Sequence, residues 1–493
     1  MAKRLLKNAK FYTLKNQKDY YNALLIENGI IKQTYKKEPD FKNIKKIDLG
    51  SSYVYPGFID THTHSFEGGL YSMGTNLAAV KTINQALSLI ENSRLIDGKI
   101  FAFHYDENLI DEKRFPTREE LDRIFPENPV ILRRVDGHSC VINSKAAKEI
   151  KWNSKLSNSF NGYLNGRLND IAANWFHHNL EDESIIRAYQ EAAKIAIQSG
   201  HTTIHTMIGN GYQDPEHYKL IRDNPDKFPI EFIIYPQIVD INKALELGAP
   251  RIGGCILADG SFGSHTAALK EPYKDQPNDY GNLYHTDKFW QDLIGKAHAN
   301  KLQVAVHAIG DAAIEQILKA YEKANRKSEA DLRHQIIHNE LTDDDMLHRM
   351  KKAKISAVMQ PMFNKLWGGD NDLYEKVLGK SRTKLTNRFA AIMKRNILLT
   401  GGSDWYVTAM DALQGIEAAV NHHNPAERLS RLQALQIYTH NAAKLSFDEN
   451  RLGLIKEGFQ ADMVCLDKDL FVNKDILNIE IKYVIKKGQI VRN

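Results

Sequence analysis

The sequence predicts an α/β protein built on a (β/α)8 TIM-like barrel, with a small β-sandwich domain from both chain ends and an inserted α/β subdomain. Between residues 198 and 447, short apolar segments alternate with helix-like segments, which is the pattern of a parallel sheet covered by helices. With residues 53–60 the apolar segments number eight, the count that closes a parallel barrel. They lie at residues 53–60, 202–205, 228–235, 255–258, 303–307, 335–338, 355–359 and 397–400.

Both ends of the chain have β character. Residues 24–31 flank an Asn-Gly turn, and residues 461–466 and 484–491 are also strand-like. Because the termini of compact proteins usually lie close together, we expect the two ends to share one sheet. The predicted domains are 1–52 with 448–493 for the β-sandwich, 53–65 with 196–447 for the barrel, and 66–195 for the inserted subdomain.

The composition is that of an ordinary globular protein, with 42% hydrophobic and 26% charged residues. Lys and Arg number 66 against 61 Asp and Glu, and no dense basic patch is present, so we expect no nucleic acid partner. No apolar run approaches the length of a membrane span, and no secretory signal pattern opens the chain. Three widely spaced cysteines favour a reducing compartment, and we expect a cytoplasmic protein with a small-molecule substrate that could form a homo-oligomer.

A His-x-His pair stands at the end of the first predicted barrel strand. The motif Pro-Gly-Phe-Ile-Asp-Thr-His-Thr-His spans residues 56–64 and contains His62 and His64. Side chains alternate faces along a strand, so both histidines point the same way, and at the carboxyl end of a barrel strand that is into the active-site mouth. The pair could bind one metal ion, although two surface histidines would give the same local pattern.

Three further candidate ligands follow later apolar segments. His307 and His338 end two of them, and Asp404 comes shortly after a third. Taken singly, each histidine could be a core residue with a hydrogen-bond partner, and Asp404 could cap a helix. Their recurrence at strand ends, where barrel enzymes assemble their sites, predicts a divalent metal centre. Nitrogen and carboxylate ligands favour zinc, as one or two ions.

Longer motifs carry a family resemblance. They are the first-strand motif, Phe-Pro-Thr-Arg-Glu-Glu-Leu-Asp at 115–122, Val-Asp-Gly-His-Ser at 135–139, the Asp-Gly-Ser-Phe-Gly-Ser-His loop within 258–269, Val-Ala-Val-His-Ala-Ile-Gly-Asp at 304–311 and Gly-Ser-Asp at 402–404. Over nearly its whole length the chain resembles the amidohydrolase superfamily, in the branch that includes N-substituted formamide deformylase (amidohydrolase family 3). The motifs are specific for the family and say little about the substrate.

The resemblance implies that His62, His64 and Asp404 hold one metal. It also implies that His307 and His338 serve either a second metal position or the substrate carbonyl. These assignments come from the resemblance, and the residue pattern alone leaves the division of ligands open.

Two positions depart from the family pattern. Relatives often carry a lysine four residues before the Asp-Gly-Ser loop, where its carboxylated form bridges two metals, and this chain has Cys255 there. Cysteine forms no carbamate, but its thiolate could bind zinc at about 2.3 Å. Alternatively, Cys255 could be a small buried residue that only packs in the core. His265 stands where relatives often have arginine, so the contact of this loop with substrate could differ.

Several other histidines are weaker candidates. The resemblance places His138 near the mouth, where it could donate a hydrogen bond to a substrate oxygen, and a turn histidine is the alternative. His205 could line the site, whereas His201 is expected to be structural. His177 and His178 are adjacent on a predicted helix and diverge by about 100°, which favours a solvated helix face.

The residues support a hydrolysis hypothesis in which metal-activated water attacks an amide-type C–N bond other than a peptide bond. Asp404 would accept the proton of the water and return it to the leaving nitrogen, and His338 and His138 would assist at the substrate oxygen. Two alternatives stay open: a barrel without catalysis that binds a metal or ligand, and a lyase or isomerase whose metal polarises a carbonyl.

Overall fold

The computed structural model describes residues 3–135, 137–152, 160–211, 215, 217–327 and 330–492. Contacts divide the chain into two compact units, one of Met1–His64 with Ala193–Asn493 and one of Ser65–Ala192. Among the described residues, no helix is both long and apolar enough to cross a membrane.

The strands are numbered in chain order. They are β1 Arg4–Tyr12, β2 Tyr20–Tyr21, β3 Ala23–Glu27, β4 Ile30–Tyr35, β5 Lys45–Pro56, β6 Phe58–Thr63, β7 Thr75–Asn76, β8 Ile100–Tyr105, β9 Val130–Arg134, β10 Ser139–Ile142, β11 Tyr163–Asn165, β12 His201–Gly211, β13 Glu231–Ile238, β14 Arg251–Leu257, β15 Gln303–Ala308, β16 Gln335–His338, β17 Ser356–Met359, β18 Leu399–Gly401, β19 Met463–Leu466, β20 Ile481–Lys486 and β21 Gln489–Arg492.

The α-helices follow the same order. They are α1 Ser65–Met73, α2 Ile83–Glu91, α3 Arg118–Ile124, α4 Ser144–Glu149, α5 Gly166–His178, α6 Asp182–Gln198, α7 His217–Arg222, α8 Ile241–Glu246, α9 Asp287–Ala299, α10 Asp311–Lys327, α11 Asp344–Lys352, α12 Pro361–Trp367, α13 Leu373–Leu378, α14 Lys380–Thr383, α15 Phe389–Lys394, α16 Ala412–Val420, α17 Arg431–Ile437 and α18 His440–Leu445. Short 3-10 turns lie at Glu107–Leu109, Pro225–Lys227, Pro425–Glu427 and Ile476–Asn478.

The two chain ends share one sheet, as the sequence predicts. Its strand order is β21-β20-β19-β5-β1-β3-β4, with β2 paired to β1. The C-terminal strand β19 lies antiparallel to β5, with Met463 opposite Pro56. The arrangement of this region as a β-sandwich stays a prediction.

Eight parallel strands form the α/β part of the larger unit. They lie in two sheets, β13-β12-β6 and β14-β15-β16-β17-β18, and every pairing within them is parallel. Each of the eight strands overlaps an apolar segment predicted from the sequence, and the bounds of β16 agree with the prediction at both ends. The α/β class is confirmed, and closure of the two sheets into one barrel stays a prediction.

Amphipathic helices cover these strands. In α10, residues Ile314, Ile317, Leu318 and Tyr321 recur at the spacing of one helix face, and all four are fully buried. Such a face is stabilised mainly by removing apolar surface from water, at roughly 25 cal/mol per Å². The helix packs against β15, the strand that precedes it in the chain.

The first predicted strand, residues 53–60, is divided at Gly57. Residues up to Pro56 belong to β5 in the sheet of the chain ends, and residues from Phe58 onward form β6. The amide of Gly57 donates to Asp462 O at 3.0 Å, and a Cβ atom at this position would lie 2.3 Å from Oγ1 of Thr202. Glycine therefore allows the close approach of β12 at the point where the chain leaves one sheet for the other.

The unit Ser65–Ala192 has a mixed sheet of its own, in the order β11-β10-β9-β8-β7. Strands β7, β8 and β9 are parallel, and β9, β10 and β11 are antiparallel. Leu132, Val141 and Ile100 are fully buried in its apolar core. This unit has the strands and helices expected of the predicted insertion, whose exact boundaries stay a prediction.

Candidate metal centre

His62 lies on β6, every residue of which is buried. The carboxylate of Asp60, two residues earlier, accepts hydrogen bonds from the backbone amide of His62 at 3.0 Å and from that of Ser403 at 3.1 Å. Asp60 therefore ties the histidine strand to the segment after β18. Burial raises the pKa of Asp60 to about 6, opposed by these donors.

Asp404 meets both histidines of the His-x-His motif. Its Oδ1 atom lies 3.2 Å from Nε2 of His62 and 3.2 Å from Nε2 of His64. The backbone amide of Asp404 donates to His62 O at 2.9 Å, and its φ of 56° is a left-handed conformation that short polar residues tolerate. Three residues at the ends of two strands are thus brought to one point.

Cys255, His307 and His338 form the other side of the cluster. Sγ of Cys255 lies 3.8 Å from Nδ1 of His307, whose Nε2 lies 3.1 Å from the carbonyl oxygen of Gly260. The rings of His307 and His338 have centroids 4.5 Å apart, and Nδ1 of His338 lies 2.7 Å from Oε1 of Gln360. Each of these histidines therefore has one ring nitrogen held by an oxygen of the protein, and the other nitrogen of His307 faces the sulfur of Cys255.

The six residues form three overlapping groups of possible metal ligands. Within each group the ligand atoms lie within 4.8 Å of one another. The groups are His62 with His64 and Cys255, Cys255 with His307 and His338, and His62 with His338 and Asp404. Each pair of groups shares one residue, so the geometry accommodates either one ion or two, and Cys255 is the residue that joins the first group to the second.

The centre carries buried negative charge. Burial alone would raise the pKa of Asp404 and of Cys255, but the neighbouring histidines hold each pKa well below its ordinary value. Burial lowers the pKa of His64 and His307, yet the adjacent anions outweigh it, raising the pKa of His307 to about 9 and that of His64 well above its ordinary value. Because metal ligands must release their protons, a divalent cation can replace the protons that these histidines would otherwise hold.

Unpartnered buried atoms support the same conclusion. Both ring nitrogens of His62 and Oδ1 of Asp404 are buried without a hydrogen-bond partner among the described residues, although Nε2 and Oδ1 face each other. Leaving such an atom unsatisfied costs about 1–3 kcal/mol. Imidazole, thiolate and carboxylate are ligands of transition metals, and the donor set therefore fits a metal ion.

The remaining sequence candidates lie in different surroundings. His138 is exposed in the turn between β9 and β10 in the unit Ser65–Ala192, and its catalytic role stays a prediction. His265 pairs with Asp275 at 3.0 Å. His205 is buried with its Nδ1 atom 3.3 Å from the Tyr235 hydroxyl, and burial lowers its pKa well below the ordinary value.

Sequence reasoning missed three residues that organise the centre. They are Asp60, Gln360 and Asp259, whose buried carboxylate accepts the amides of Ala268, Ile309 and Gly310 at 2.8–3.0 Å. The signal was present for two of them, because Asp60 and Asp259 lie inside the first-strand motif and the Asp-Gly-Ser loop. Gln360 could have been found as the polar residue that directly follows a predicted strand.

Comparison with known proteins identifies the family. The model of the amidohydrolase family matches residues 45–492. YtcJ of Bacillus subtilis (strain 168), whose name places it among the amidohydrolases, is 30% identical over 97% of this chain and 97% of its own length. N-substituted formamide deformylase of Arthrobacter pascens is 23% identical over 94% of this chain and 93% of its own.

Solved structures agree with this assignment. An uncharacterized metal-dependent hydrolase from Pyrococcus furiosus superposes with a TM-score of 0.82 at 28% identity, covering 95% of this chain and 100% of that one. A second one, from Pyrococcus horikoshii OT3, has a TM-score of 0.83 at 25% identity, covering 96% and 99%. The chain therefore belongs to the amidohydrolase family and is a metal-dependent hydrolase.

Proposed function

We propose that this hydrolase cleaves an amide-type C–N bond, other than a peptide bond, in a small molecule. The observation that carries the proposal is the convergence of four histidines, Cys255 and Asp404 in three overlapping ligand groups. The relative named N-substituted formamide deformylase supports a small N-substituted amide as the substrate class. We also propose that the two parallel sheets close into one (β/α)8 barrel.

Hydrogen bonds between the sheets support the barrel. Thr61 of β6 lies with its Oγ1 2.9 Å from Oγ1 of Thr400 of β18 and donates to Gly401 O at 3.0 Å. A parallel bridge joins Thr63 to Trp405 just beyond β18. These contacts place the ends of the first and last parallel strands side by side, as closure of an eight-stranded barrel requires.

Zinc is the proposed metal, in one or two ions held by His62, His64, His307, His338, Cys255 and Asp404. When bound, it would supply Lewis acidity and make water nucleophilic at neutral pH. The two imidazoles of the His-x-His motif and the two on β15 and β16 would fix its position. The protein part of the chemistry then consists of moving one proton and stabilising one developing negative charge.

Asp404 would move that proton. Its lowered pKa favours the ionised carboxylate at neutral pH, and its contacts with His62 and His64 support a position beside the attacking water. As general base it would accept the water proton at a carboxylate oxygen and then donate it to the leaving nitrogen, so that the amine departs neutral. His338 would contribute as a ligand, by helping to hold the metal whose charge would stabilise the negative charge that develops on the substrate oxygen.

The test combines metal analysis with a substrate screen. The purified protein would be loaded with zinc and assayed on N-formyl, N-acyl, cyclic-amide and carbamate substrates, with dipeptides as the comparison class. Hydrolysis in labelled water should place one heavy oxygen in the carboxyl product. Turnover without label would support a lyase or isomerase, and stoichiometric metal without turnover on any class would support a binding protein.

A further inference from the structure

Gln360 is a buried glutamine at the edge of the metal centre. It directly follows β17, precedes α12 as its N-cap and is 1% exposed. Its side chain makes no capping hydrogen bond to α12, and Pro361 at the first helical position has no amide hydrogen to be capped. The side chain is directed instead to His338, with Oε1 at 2.7 Å from Nδ1.

This contact selects one form of His338. An amide oxygen can only accept a hydrogen bond, so Nδ1 of His338 must carry the proton, and the lone pair of the neutral ring is then on Nε2. Without the glutamine, the ring could adopt either tautomer and could rotate about its side-chain bonds. A ligand nitrogen with a fixed lone pair binds a metal more tightly than one that must first be oriented.

The first turn of α12 supplies a second restraint. The ring of Phe363 is stacked on that of His338, with centroids 5.6 Å apart and an angle of 8° between the planes. Gln360 therefore restrains His338 in the plane of the ring, and Phe363 covers one face. The neighbouring ligand His307 is held differently, because its Nε2 lies 3.1 Å from a backbone oxygen, that of Gly260.

The hydrogen-bond partner of His338 is an uncharged amide, which affects the charge of the centre. Metal-bound histidines commonly donate their second nitrogen to a carboxylate, a backbone carbonyl or water. Here the partner is a neutral amide in a centre that already contains the side chains of Asp404 and Cys255, which bind metals as anions. An amide oxygen orients the ring without placing a third negative charge in the same buried space.

We propose that Gln360 is a positioning residue that holds His338 in the Nδ1–H form with Nε2 directed to the metal. This inference rests on metal binding at the proposed centre and is independent of the substrate. A metal-loaded protein that hydrolyses no amide would therefore contradict the proposed function and leave the role of Gln360 intact.

The experiment uses the full-length protein and the variant Gln360→Met, which keeps the length of the side chain and removes the acceptor. The zinc dissociation constant, measured by competition with a chelator, should rise by about 10- to 100-fold. In nitrogen-15 spectra of the zinc-loaded protein, the protected Nδ1–H signal of His338, assigned by comparison with His338→Asn, should weaken or shift.

Gln303→Met is the matched control. Gln303 is 2% exposed and donates through Nε2 to Leu445 O at 2.9 Å, at the opposite end of the parallel strands from the metal centre. It should lose stability and keep the zinc affinity. An affinity of Gln360→Met equal to that of Gln303→Met, with an unchanged His338 signal, would overturn the proposal.

Gln360→Glu keeps the test decisive if Gln360→Met does not fold. This variant is nearly isosteric and retains an oxygen acceptor, so it should keep the Nδ1–H signal of His338. Loss of the Nδ1–H signal in folded Gln360→Glu would show that the acceptor oxygen does not control His338.

Discussion

His334 and His338 lie four residues apart, at opposite ends of the same strand, and show two uses of a buried histidine. His334 precedes β16, accepts the amide of Val304 at Nδ1 (3.0 Å), and has Nε2 2.9 Å from Nδ1 of His298. His338 ends β16, has Nδ1 held by Gln360, and leaves Nε2 facing a cluster that contains Asp404. Both are nearly inaccessible, so burial alone does not separate a structural histidine from a ligand.

The difference lies in the partners and in the charge. Burial, together with the neighbouring His298, lowers the pKa of His334 to about 3. At the metal centre, burial disfavours the charged form of His307 on the neighbouring strand β15, but the adjacent anions of Cys255 and Asp259 outweigh burial and raise its pKa to about 9. Burial, together with the charge of His307, lowers the pKa of His338. A histidine whose nitrogens are all satisfied by neutral groups stabilises the fold, whereas histidines that share buried anions provide a cation site.

Removal of the metal should have the largest effect on turnover, because the proposed chemistry depends on it. It should have little effect on the fold, because the metal centre lies at one end of the strands only. Dialysis against a strong chelator should abolish turnover, and one equivalent or more of Zn, Mn, Fe or Co should restore it. Circular dichroism should show that the fold persists, since the His334 end contains no metal ligands in the three groups. Full turnover by protein with far less than half an equivalent of transition metal would contradict a metal-dependent mechanism.

Asp404→Asn should have the next largest effect. The amide keeps the size of the carboxylate and cannot accept the proton, so kcat corrected for metal occupancy should fall by at least about 10²-fold, or roughly 3 kcal/mol. His62 and His64 should retain part of the metal. If the variant kept more than about a tenth of the wild-type kcat, the base would be a group other than Asp404.

Cys255→Ser should reduce metal affinity by at least about tenfold, since even the loss of an outer partner of a ligand costs that much and a hydroxyl is a much poorer zinc ligand than a thiolate. Cys465→Ser is the matched control, because Cys465 is fully buried in the sheet of the chain ends. Equal metal content in the two variants would make Cys255 a packing residue.

His334→Leu should affect stability and leave catalysis unchanged. The change removes the acceptor of the Val304 amide and the hydrogen bond between His334 and His298, which should lower the free energy of unfolding by about 1–3 kcal/mol. Chemical denaturation measures this loss, and kcat per folded molecule should equal that of the wild type. A parallel fall in metal content would show that the two ends of β16 are not independent.

The smallest expected effect is on the pH dependence of stability, which should differ between the wild type and His334→Leu. Because folded His334 has a pKa of about 3 and an unfolded histidine about 6.5, the unfolded chain binds a proton that the folded protein does not between these values. Wild-type stability should therefore fall as the pH is lowered below about 6.5, and the curve of His334→Leu should be flatter. Identical slopes would remove His334 from the acid response.

Much of the site could be predicted because its ligands follow local patterns. His62 and His64 share a strand face, and His307 and His338 end apolar segments that do form β15 and β16. The prediction at residues 53–60 was wrong in treating one apolar run as one strand, because the division at Gly57 depends on how closely Thr202 approaches. Nothing in the local sequence records that distance.

The sequence by itself determined the α/β class, the family and five of the strand-end candidates, because strand periodicity and motif spacing are properties of neighbouring residues. Only the tertiary structure showed that Cys255 lies among the histidines, that Asp60 joins β6 to the segment before Asp404, and that Gln360 holds His338. These relations join residues that are up to several hundred positions apart in the chain. They depend on which strands are neighbours and on which buried atoms remain without partners, and both are decided only when the chain packs.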